Sequence, residues 1–248
     1  MGRSVIAVGI RGVTESRLEA LVDHVHWLEW GDVGGFLSLL NKFRDDGIKQ
    51  AVMAGKVEQQ SIYKAGDNAQ MKGLLSAVPV RHTDSLIQAV VNIMAGAGIE
   101  LMNCTDFLQP HIVRRGILTS RGPDDRERDD IAHGWKVAKQ LGALDIGQSV
   151  VVKDRAVVAI EAMEGTDACL KRAGDLAGAG TVLVKVGKPE QDLRFDVPVI
   201  GAETIATMVE AGASALCVEA DLTVLFDAAE FCSQADAAGI AVVARREG

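Results

Sequence analysis

The chain has 248 residues, of which 48% are hydrophobic and 24% charged, and its formal net charge is −8. This length and composition supply enough apolar residues for a folded core, in one large domain or two small ones. The acidic balance argues against a protein that binds nucleic acid, and no apolar run reaches the roughly 18 residues that a membrane-spanning helix needs. We therefore expect a soluble protein that stays in the cytoplasm.

The first half of the chain alternates short β-branched runs with segments of helical spacing. Strands are predicted at residues 5–8, 25–30, 51–54 and 99–104. Helices are predicted around residues 18–22, from the N-cap Asp32 to the terminating Gly47, and after Thr83. Strands that alternate with helices are typical of βαβ units. We predict a Rossmann-like α/β domain with a parallel sheet.

A charged segment rich in breaker residues follows at residues 116–130, and it has no apolar period. Such a composition is typical of a connection between domains, so we place a boundary there, with domains at 1–122 and 123–248. Beyond it, the spacing of Ile131, Trp135 and Leu141 predicts a helix that Gly142 closes.

The rest of the second half combines a hairpin with strands and helices. Two β-branched runs flank Lys153-Asp154-Arg155, which predicts an antiparallel hairpin. Further strands are predicted at residues 182–186, 215–219 and 240–244, with helices around 205–209 and 226–237. This half is predicted to be a mixed α/β domain.

Four cysteines lie far apart in the chain, each among apolar neighbours: Cys104, Cys169, Cys217 and Cys232. None belongs to a Cys-x-x-Cys pair. This distribution predicts reduced core thiols rather than a disulfide framework or a zinc site.

Two turns of the first half follow predicted strands and are candidates for phosphate binding. Gly9 and Gly12 bracket the first turn, whose backbone N–H groups suit a nucleotide, although a plain tight turn has the same pattern. Gly55 and Lys56 end the third strand, where ligands of open α/β sheets bind. A solvated lysine after a turn is the alternative for Lys56.

The run Glu164-Gly165-Thr166-Asp167 sets two carboxylates and a hydroxyl at a predicted strand-to-helix junction. Thr166 or Asp167 has a simpler interpretation as an N-cap residue. That interpretation leaves Glu161 and Glu164 unexplained.

A loop at residues 185–201 interleaves the cations Lys185, Lys188 and Arg194 with Asp192 and Asp196. Cations close to carboxylates suit a phosphorylated ligand with a hard metal ion, or a water activated by a carboxylate. A salt-bridged surface loop is the alternative. The charges alternate with apolar residues, and polar groups in apolar surroundings need partners, which favours a ligand.

Three long strings, LDIGQSVVV, EAMEGTDACLKRAG and LVKVGKPEQDLRFDVPVIGAETI, resemble the C-terminal domain of the LpxI-type UDP-2,3-diacylglucosamine pyrophosphatases. VMAGKV resembles the N-terminal domain of that family. The first turn departs from the family's usual run of glycines, because Ile10 and Arg11 stand between Gly9 and Gly12.

The resemblance implies a two-domain enzyme that holds a lipid between its domains and acts at the cytoplasmic face of the inner membrane. With Mg²⁺ or Mn²⁺, it would hydrolyse the pyrophosphate of UDP-2,3-diacylglucosamine to UMP and 2,3-diacylglucosamine 1-phosphate (lipid X). The family's essential aspartate corresponds to Asp196, in Arg194-Phe195-Asp196-Val197-Pro198.

The candidate site residues fall into three groups. The catalytic candidates are Asp196, Lys185, Lys188 and Arg194, because the cations would stabilise the developing phosphate charge. The substrate-binding candidates are Gly9, Gly12, Gly55, Lys56, Gln148, Gly165, Thr166 and Gln191. The metal-ligand candidates are Asp196, Asp192, Glu164 and Asp167. A nucleotide-sugar transferase and a nonhydrolytic UDP-lipid binding protein are the alternatives in function, and a homodimer is left open.

Overall fold

The computed structural model describes residues 4–55, 83–189 and 191–246. Clustering of the chain by proximity divides it into two compact units, Met1–Met102 and Asn103–Gly248. The described residues form six helices and several sheets, and the prediction of an α/β protein is confirmed.

The described residues of the first unit form two parallel strand pairs and two α-helices. In chain order these are β1 Ile6–Ile10, β2 His24–Leu28, α1 Val33–Asp45, β3 Gln50–Ala51, α2 Thr83–Gly96 and β4 Glu100–Leu101. β1 pairs with β2 and β3 with β4. The strands predicted at 51–54 and 99–104 are each only two residues long in the structure. The predicted helix at 18–22 is a short 3-10 helix at Ser16–Ala20 instead. A continuous Rossmann-like sheet stays a prediction.

Helix α1 shows how local sequence signals position an element. The Asp32 side chain accepts a hydrogen bond from the Gly35 N–H at 2.8 Å, which satisfies one of the free donors of the first turn. Gly47 follows the helix with φ +78°, a conformation that glycine adopts without a Cβ clash. Leu40 and Phe43 are buried on one face. The predicted start and end of this helix are confirmed.

The second unit is built on a mixed six-stranded sheet. Its elements are β5 Gly116–Ile117, α3 Asp125–Ala143, β6 Ser149–Lys153, β7 Ala156–Ile160, α4 Thr166–Ala177, β8 Thr181–Lys185, β9 Val199–Ile200, α5 Ala202–Glu210, β10 Ala213–Glu219, β11 Val224–Leu225, α6 Ala228–Ala237 and β12 Ala241–Arg245. The strand order is β5-β12-β10-β8-β6-β7, with β8, β10 and β12 parallel and the other pairs antiparallel. β9 and β11 form a separate parallel pair.

Helices cover both faces of this sheet, so its central strands are apolar on both sides. Val151 and Leu183 belong to a core cluster with Leu170 and Met208, which lie on α4 and α5. Alternate residues such as Val152 face the other cluster, which contains residues of α3. These apolar runs predicted the central strands from sequence because a strand buried on both faces has no polar side.

The β6–β7 hairpin is confirmed. Asp154 and Arg155 form its turn with φ of 51° and 61°, the backbone that a two-residue hairpin turn requires. The fully buried Asp130 carboxylate accepts hydrogen bonds from both turn N–H groups, at 3.2 and 2.5 Å. Helix α3 thereby stabilises the hairpin from one face of the sheet.

The predicted linker at 116–130 is ordered structure in the second unit. β5 pairs with β12, and α3 begins at Asp125 with a capping box between Asp124 and Glu127. The division of the chain after Met102 lies earlier than the predicted boundary between 122 and 123. Gly142 lies inside α3 and does not close it.

Glu127 explains why a charged segment folds into the body of this unit. Its side chain is only 2% exposed and receives hydrogen bonds from Arg121 at 2.7 and 2.8 Å and from the Asp124 N–H at 2.9 Å. Burial would raise the pKa of Glu127, but the hydrogen bonds from Arg121 and Asp124 outweigh it and lower the pKa to about 2. A buried charge with this many donors is compatible with a stable core.

We expect Glu127→Gln to destabilise the protein at neutral pH and to matter little near pH 2. Because the folded-state pKa of about 2 lies below the ordinary 4.5, the stabilisation is complete above 4.5 and is lost as the pH falls toward 2. Such a shift corresponds to about 3 kcal/mol. Urea unfolding of both proteins between pH 7 and pH 3 measures it. A stability difference that does not shrink on acidification would contradict this account.

All four cysteines are free, as predicted. Cys169 and Cys217 are fully buried, and desolvation raises the pKa of each thiol to about 12. Cys104 and Cys232 are half-buried, and burial raises their pKa as well. Thiols with raised pKa values are poor nucleophiles. Within the described ranges, no helix is long and apolar enough to cross a bilayer.

Candidate active site

Three neighbouring strands of the second unit bring polar residues to one edge of the sheet. Ser149 at the start of β6 pairs with Lys185 at the end of β8, because the two strands are antiparallel. The Val186 N–H donates to the Gln148 carbonyl at 2.9 Å, and the Glu161 N–H donates to the Ser149 carbonyl at 2.9 Å. Gln148, Glu161 and Lys185 therefore lie at the same sheet edge.

The first turn of α4 reaches this edge. Gly165 is the N-cap residue, with φ +83°, and Thr166 is the first helical residue. The Thr166 hydroxyl donates to Glu161 Oε1 at 3.0 Å and accepts from Lys185 Nζ at 3.0 Å. The N-cap interpretation of Thr166 or Asp167 is wrong, since Gly165 occupies that position. The helix N-terminus instead adds partial positive charge beside Lys185.

A buried ion pair holds the turn that follows β8. Lys139 Nζ on α3 lies 2.7 and 2.8 Å from the two carboxylate oxygens of Glu219, at the end of β10. Glu219 Oε2 accepts from the Gly187 N–H at 2.7 Å, and Lys139 donates to the Gly187 carbonyl at 3.3 Å. A Cβ at Gly187 would lie 2.9 Å from Leu222, so a larger residue does not fit without movement. The pair thus positions the residue before Lys188.

The ammonium of Lys188 lies between two carboxylates. Its Nζ is 2.7 Å from Asp145 Oδ1 and 3.2 Å from Asp196 Oδ2. The side chains of Lys188 and Asp196 are only 18% and 20% exposed, so solvent screens this pair weakly. Gln191 connects the loop by accepting from the Lys188 N–H at 2.7 Å and donating to the Asp196 carbonyl. The loop thereby brings Lys188, Gln191 and Asp196 together.

Asp192 and Arg194 form a separate pair in the same loop. Asp192 accepts from Arg194 Nε at 2.9 Å and from Nη2 at 2.6 Å, and this hydrogen bonding lowers the pKa of Asp192. The side chains are 26% and 31% exposed. For these two residues, the geometry matches the salt-bridged loop that charge pattern alone suggested.

Of the candidates in the first unit, Gly9 has a structural explanation in its surroundings, and Gly12 and Gly55 stay open. A Cβ at Gly9 would lie 2.6 Å from a ring atom of Trp27, so the ring packs directly on the glycine. Gly12 and Gly55 have positive φ values of 76° and 99° with open space around them. Such turns are consistent with either the tight-turn or the phosphate-binding interpretation. Lys56 lies outside the described residues.

Comparison with known protein families shows which family the chain belongs to. Residues 1–111 match the family model described as LpxI N-terminal domain, and residues 114–243 match LpxI C-terminal domain. The chain belongs to the LpxI family. It is 30% identical, over 222 residues, to the UDP-2,3-diacylglucosamine pyrophosphatase LpxI of Caulobacter vibrioides, and the match covers 85% of this chain and 79% of that protein.

The four metal-ligand candidates of this LpxI family member do not form one ligand group. In the described ranges no three Asp, Glu, His or Cys side chains converge as a metal site. Glu164 pairs with Arg172 at 2.5 Å and Asp192 with Arg194, whereas Asp167 lies in the first turn of α4. Mg²⁺ commonly binds through one or two carboxylates together with substrate phosphates. Asp196, partly exposed in the loop, fits that mode of binding.

Sequence reasoning missed several residues that shape this candidate site. Asp145 adopts φ +54° just beyond α3 and supplies the shorter of the two Lys188 contacts, while Glu219 and Lys139 hold the Gly187 turn. The only signal for Asp145 was its place in LDIGQSVVV, one of the strings that resemble the family. Nothing in the local pattern distinguished Glu219 or Lys139 from ordinary charged residues.

Proposed function

We propose that this protein hydrolyses the pyrophosphate of UDP-2,3-diacylglucosamine and releases UMP and lipid X, a step of lipid A biosynthesis. The relative from Caulobacter vibrioides bears the name of a pyrophosphatase of this substrate, and the family models match both halves of the chain. The single structural observation that supports the proposal best is the Lys188–Asp196 pair, half-buried at the end of the central strand β8.

The lysines at this edge suit a diphosphate. Lys185 is the last residue of β8, and Lys188 follows three positions later. Both lysines therefore belong to the turn at the end of this strand. Lys185 also lies near the N-terminus of α4 through its contact with Thr166. Fixed positive charge at such a point stabilises the negative charge that develops on phosphate oxygens in the transition state. Arg194, paired with Asp192, is proposed to add charge at the rim of the same loop.

Asp196 is proposed to act on the attacking water. Its carboxylate accepts a hydrogen bond from the attacking water and so orients it. A new P–O bond then forms, and the bridging P–O bond breaks with its electron pair going to the departing phosphate. The Lys188 ammonium, 3.2 Å from this carboxylate, holds it in place. Mg²⁺ or Mn²⁺, held by Asp196 together with the substrate phosphates, would supply charge neutralisation as a Lewis acid.

The predicted reaction has a direct assay. Phosphorus NMR or thin-layer analysis of the purified protein with UDP-2,3-diacylglucosamine should show UMP and lipid X in equal amounts. Transfer of a group to an added acceptor without free UMP would instead indicate a transferase. Tight binding of the substrate without turnover, with Mg²⁺ and Mn²⁺ both present, would indicate a nonhydrolytic binding protein.

We expect the hydrolysis to depend on a divalent cation. Because no three Asp, Glu, His or Cys side chains of the described residues converge, we propose that the ion is shared with the substrate phosphates and binds only weakly to the protein alone. EDTA should therefore abolish the reaction, and Mg²⁺ or Mn²⁺ in excess should restore it. Full activity in EDTA would exclude the metal-assisted scheme and leave the lysines as the electrostatic catalysts.

The proposed substrate carries two acyl chains, so the proposal includes contact with a lipid surface. We propose that the protein meets the cytoplasmic face of the inner membrane transiently when it takes up substrate and releases lipid X. A homodimer stays a prediction.

A further inference from the structure

Glu161 is a buried carboxylate that the proposed reaction does not yet use. It follows β7 directly, its residue exposure is 8%, and Oε1 accepts the Thr166 hydroxyl at 3.0 Å. Its other oxygen, Oε2, is buried without a hydrogen-bond partner in the part of the chain that the structure describes. An unpaired buried carboxylate oxygen costs stability, so a folded protein retains one only where something else requires it.

The hydrogen bond to Glu161 controls which way the Thr166 hydroxyl points. A hydroxyl has one proton, and when it is donated to Glu161 the lone pairs of Oγ1 face the remaining neighbours. Those neighbours are Lys185 Nζ at 3.0 Å and Ser149 Oγ at 3.3 Å. Without Glu161, the Thr166 proton can rotate toward Lys185 and repel it. The carboxylate therefore keeps Thr166 as an acceptor for the ammonium.

The other buried glutamate of this unit shows the contrast. Glu127 is also buried, but both of its oxygens accept hydrogen bonds, from Arg121 and the Asp124 N–H. Glu127 lies in the first turn of α3. The two residues share residue type and burial and differ in whether their oxygens are satisfied.

We propose that Glu161 is a positioning residue of the active site: it orients the Thr166 hydroxyl, which in turn holds the Lys185 ammonium at the end of β8. This inference rests on the proposed hydrolysis. A carboxylate placed behind Thr166 leaves its Oε2 buried without a partner in the described residues, which lowers the stability of the folded protein. On this proposal, the cost is retained because the reaction needs the oriented hydroxyl.

The test compares Glu161→Met with the matched control Glu127→Met in single-turnover hydrolysis and thermal unfolding, because methionine has a similar length and offers Thr166 no oxygen acceptor. Glu161→Met should lower kcat about tenfold or more with little change in KM, because a misplaced ammonium weakens the transition state more than substrate binding. Its Tm should equal or exceed that of the wild type, since no carboxylate oxygen is left buried without a partner. Glu127→Met should do the opposite, with a lower Tm and an unchanged kcat.

A double-mutant cycle with Thr166→Val makes the test independent of any folding defect at position 161. If Glu161 acts through Thr166, the double variant should lose no more rate than the more damaging single variant. Independent, multiplying losses would overturn the inference, as would a folded Glu161→Met protein with wild-type kcat or with a change in KM alone. Wild-type protein assayed in the same series that releases no UMP would instead refute the proposed function, while the Tm comparison would still report the cost of Glu161.

Discussion

Asp196→Asn should lower kcat and kcat/KM together by on the order of a hundredfold or more, while the protein stays folded with a Tm close to wild type. Asparagine keeps the shape and loses the charge that faces Lys188 at 3.2 Å. The fold should tolerate the change because Lys188 keeps Asp145 at 2.7 Å. The backbone N–H of Asp196 still donates to the Asp192 carbonyl at 2.9 Å. Single-turnover rates and melting curves measure both effects.

Two further variants complete this experiment. Asp196→Ala should lose at least as much rate and still bind substrate or product. Asp236→Asn is the control, because Asp236 holds Ser120 through hydrogen bonds of 2.7 and 2.8 Å and has no proposed role in the reaction. A folded Asp196→Asn enzyme with nearly wild-type rate would remove Asp196 from the catalytic residues, and Asp192 or Glu164 would become the next candidate.

Lys139→Met should destabilise the protein by about 3–5 kcal/mol, the cost of leaving one partner of a buried ion pair without its counterion. The side chains of Lys139 and Glu219 are only 13% and 8% exposed, so water cannot replace the lost ammonium. Activity should fall as well, because Glu219 and Lys139 both hold Gly187, next to Lys188. Urea unfolding and kcat at a temperature where the variant is folded give the two values.

A double variant and a surface pair test the same argument. Lys139→Met with Glu219→Leu should recover part of the stability, since no charge is left buried, but not the activity, since Gly187 has lost both partners. Lys171→Met is the control, because the side chains of Lys171 and Glu210 are 52% and 64% exposed and solvent screens their pair, so its loss should change stability little. A loss at Lys139 no larger than the loss at Lys171 would show that the buried pair does not stabilise this unit.

The candidate site was predictable to different degrees for different residues. Asp196 was identified through the Arg-x-Asp-x-Pro string, and Lys188 through its place in the charged loop. Their pairing was not predicted: in the structure Arg194 is bonded to Asp192, and Asp196 faces Lys188. Charges only a few residues apart in a loop have several possible partners, and the loop's backbone path selects among them.

The sequence by itself determined the elements whose signals are local. Asp32 and Gly47 mark α1 because a helix end needs a side-chain acceptor at its start and a positive φ at its end. The turn at Asp154 and Arg155 was recognisable because short apolar runs on either side predict a hairpin. The long strings of the C-terminal half also determined the family, since both family models match where the resemblance predicted.

Only the tertiary structure decided which distant residues meet. The start of α3 at Asp125 was read as a linker because its charges have no apolar period, and it is a helix because Arg121 and Glu127 pair inside the fold. Lys188 meets Asp145 because β6 and β8 run antiparallel and bring separate chain segments to one sheet edge. Local periodicity reports which face of an element is buried. Strand order and loop path, which depend on packing of the whole unit, determine what that face contacts.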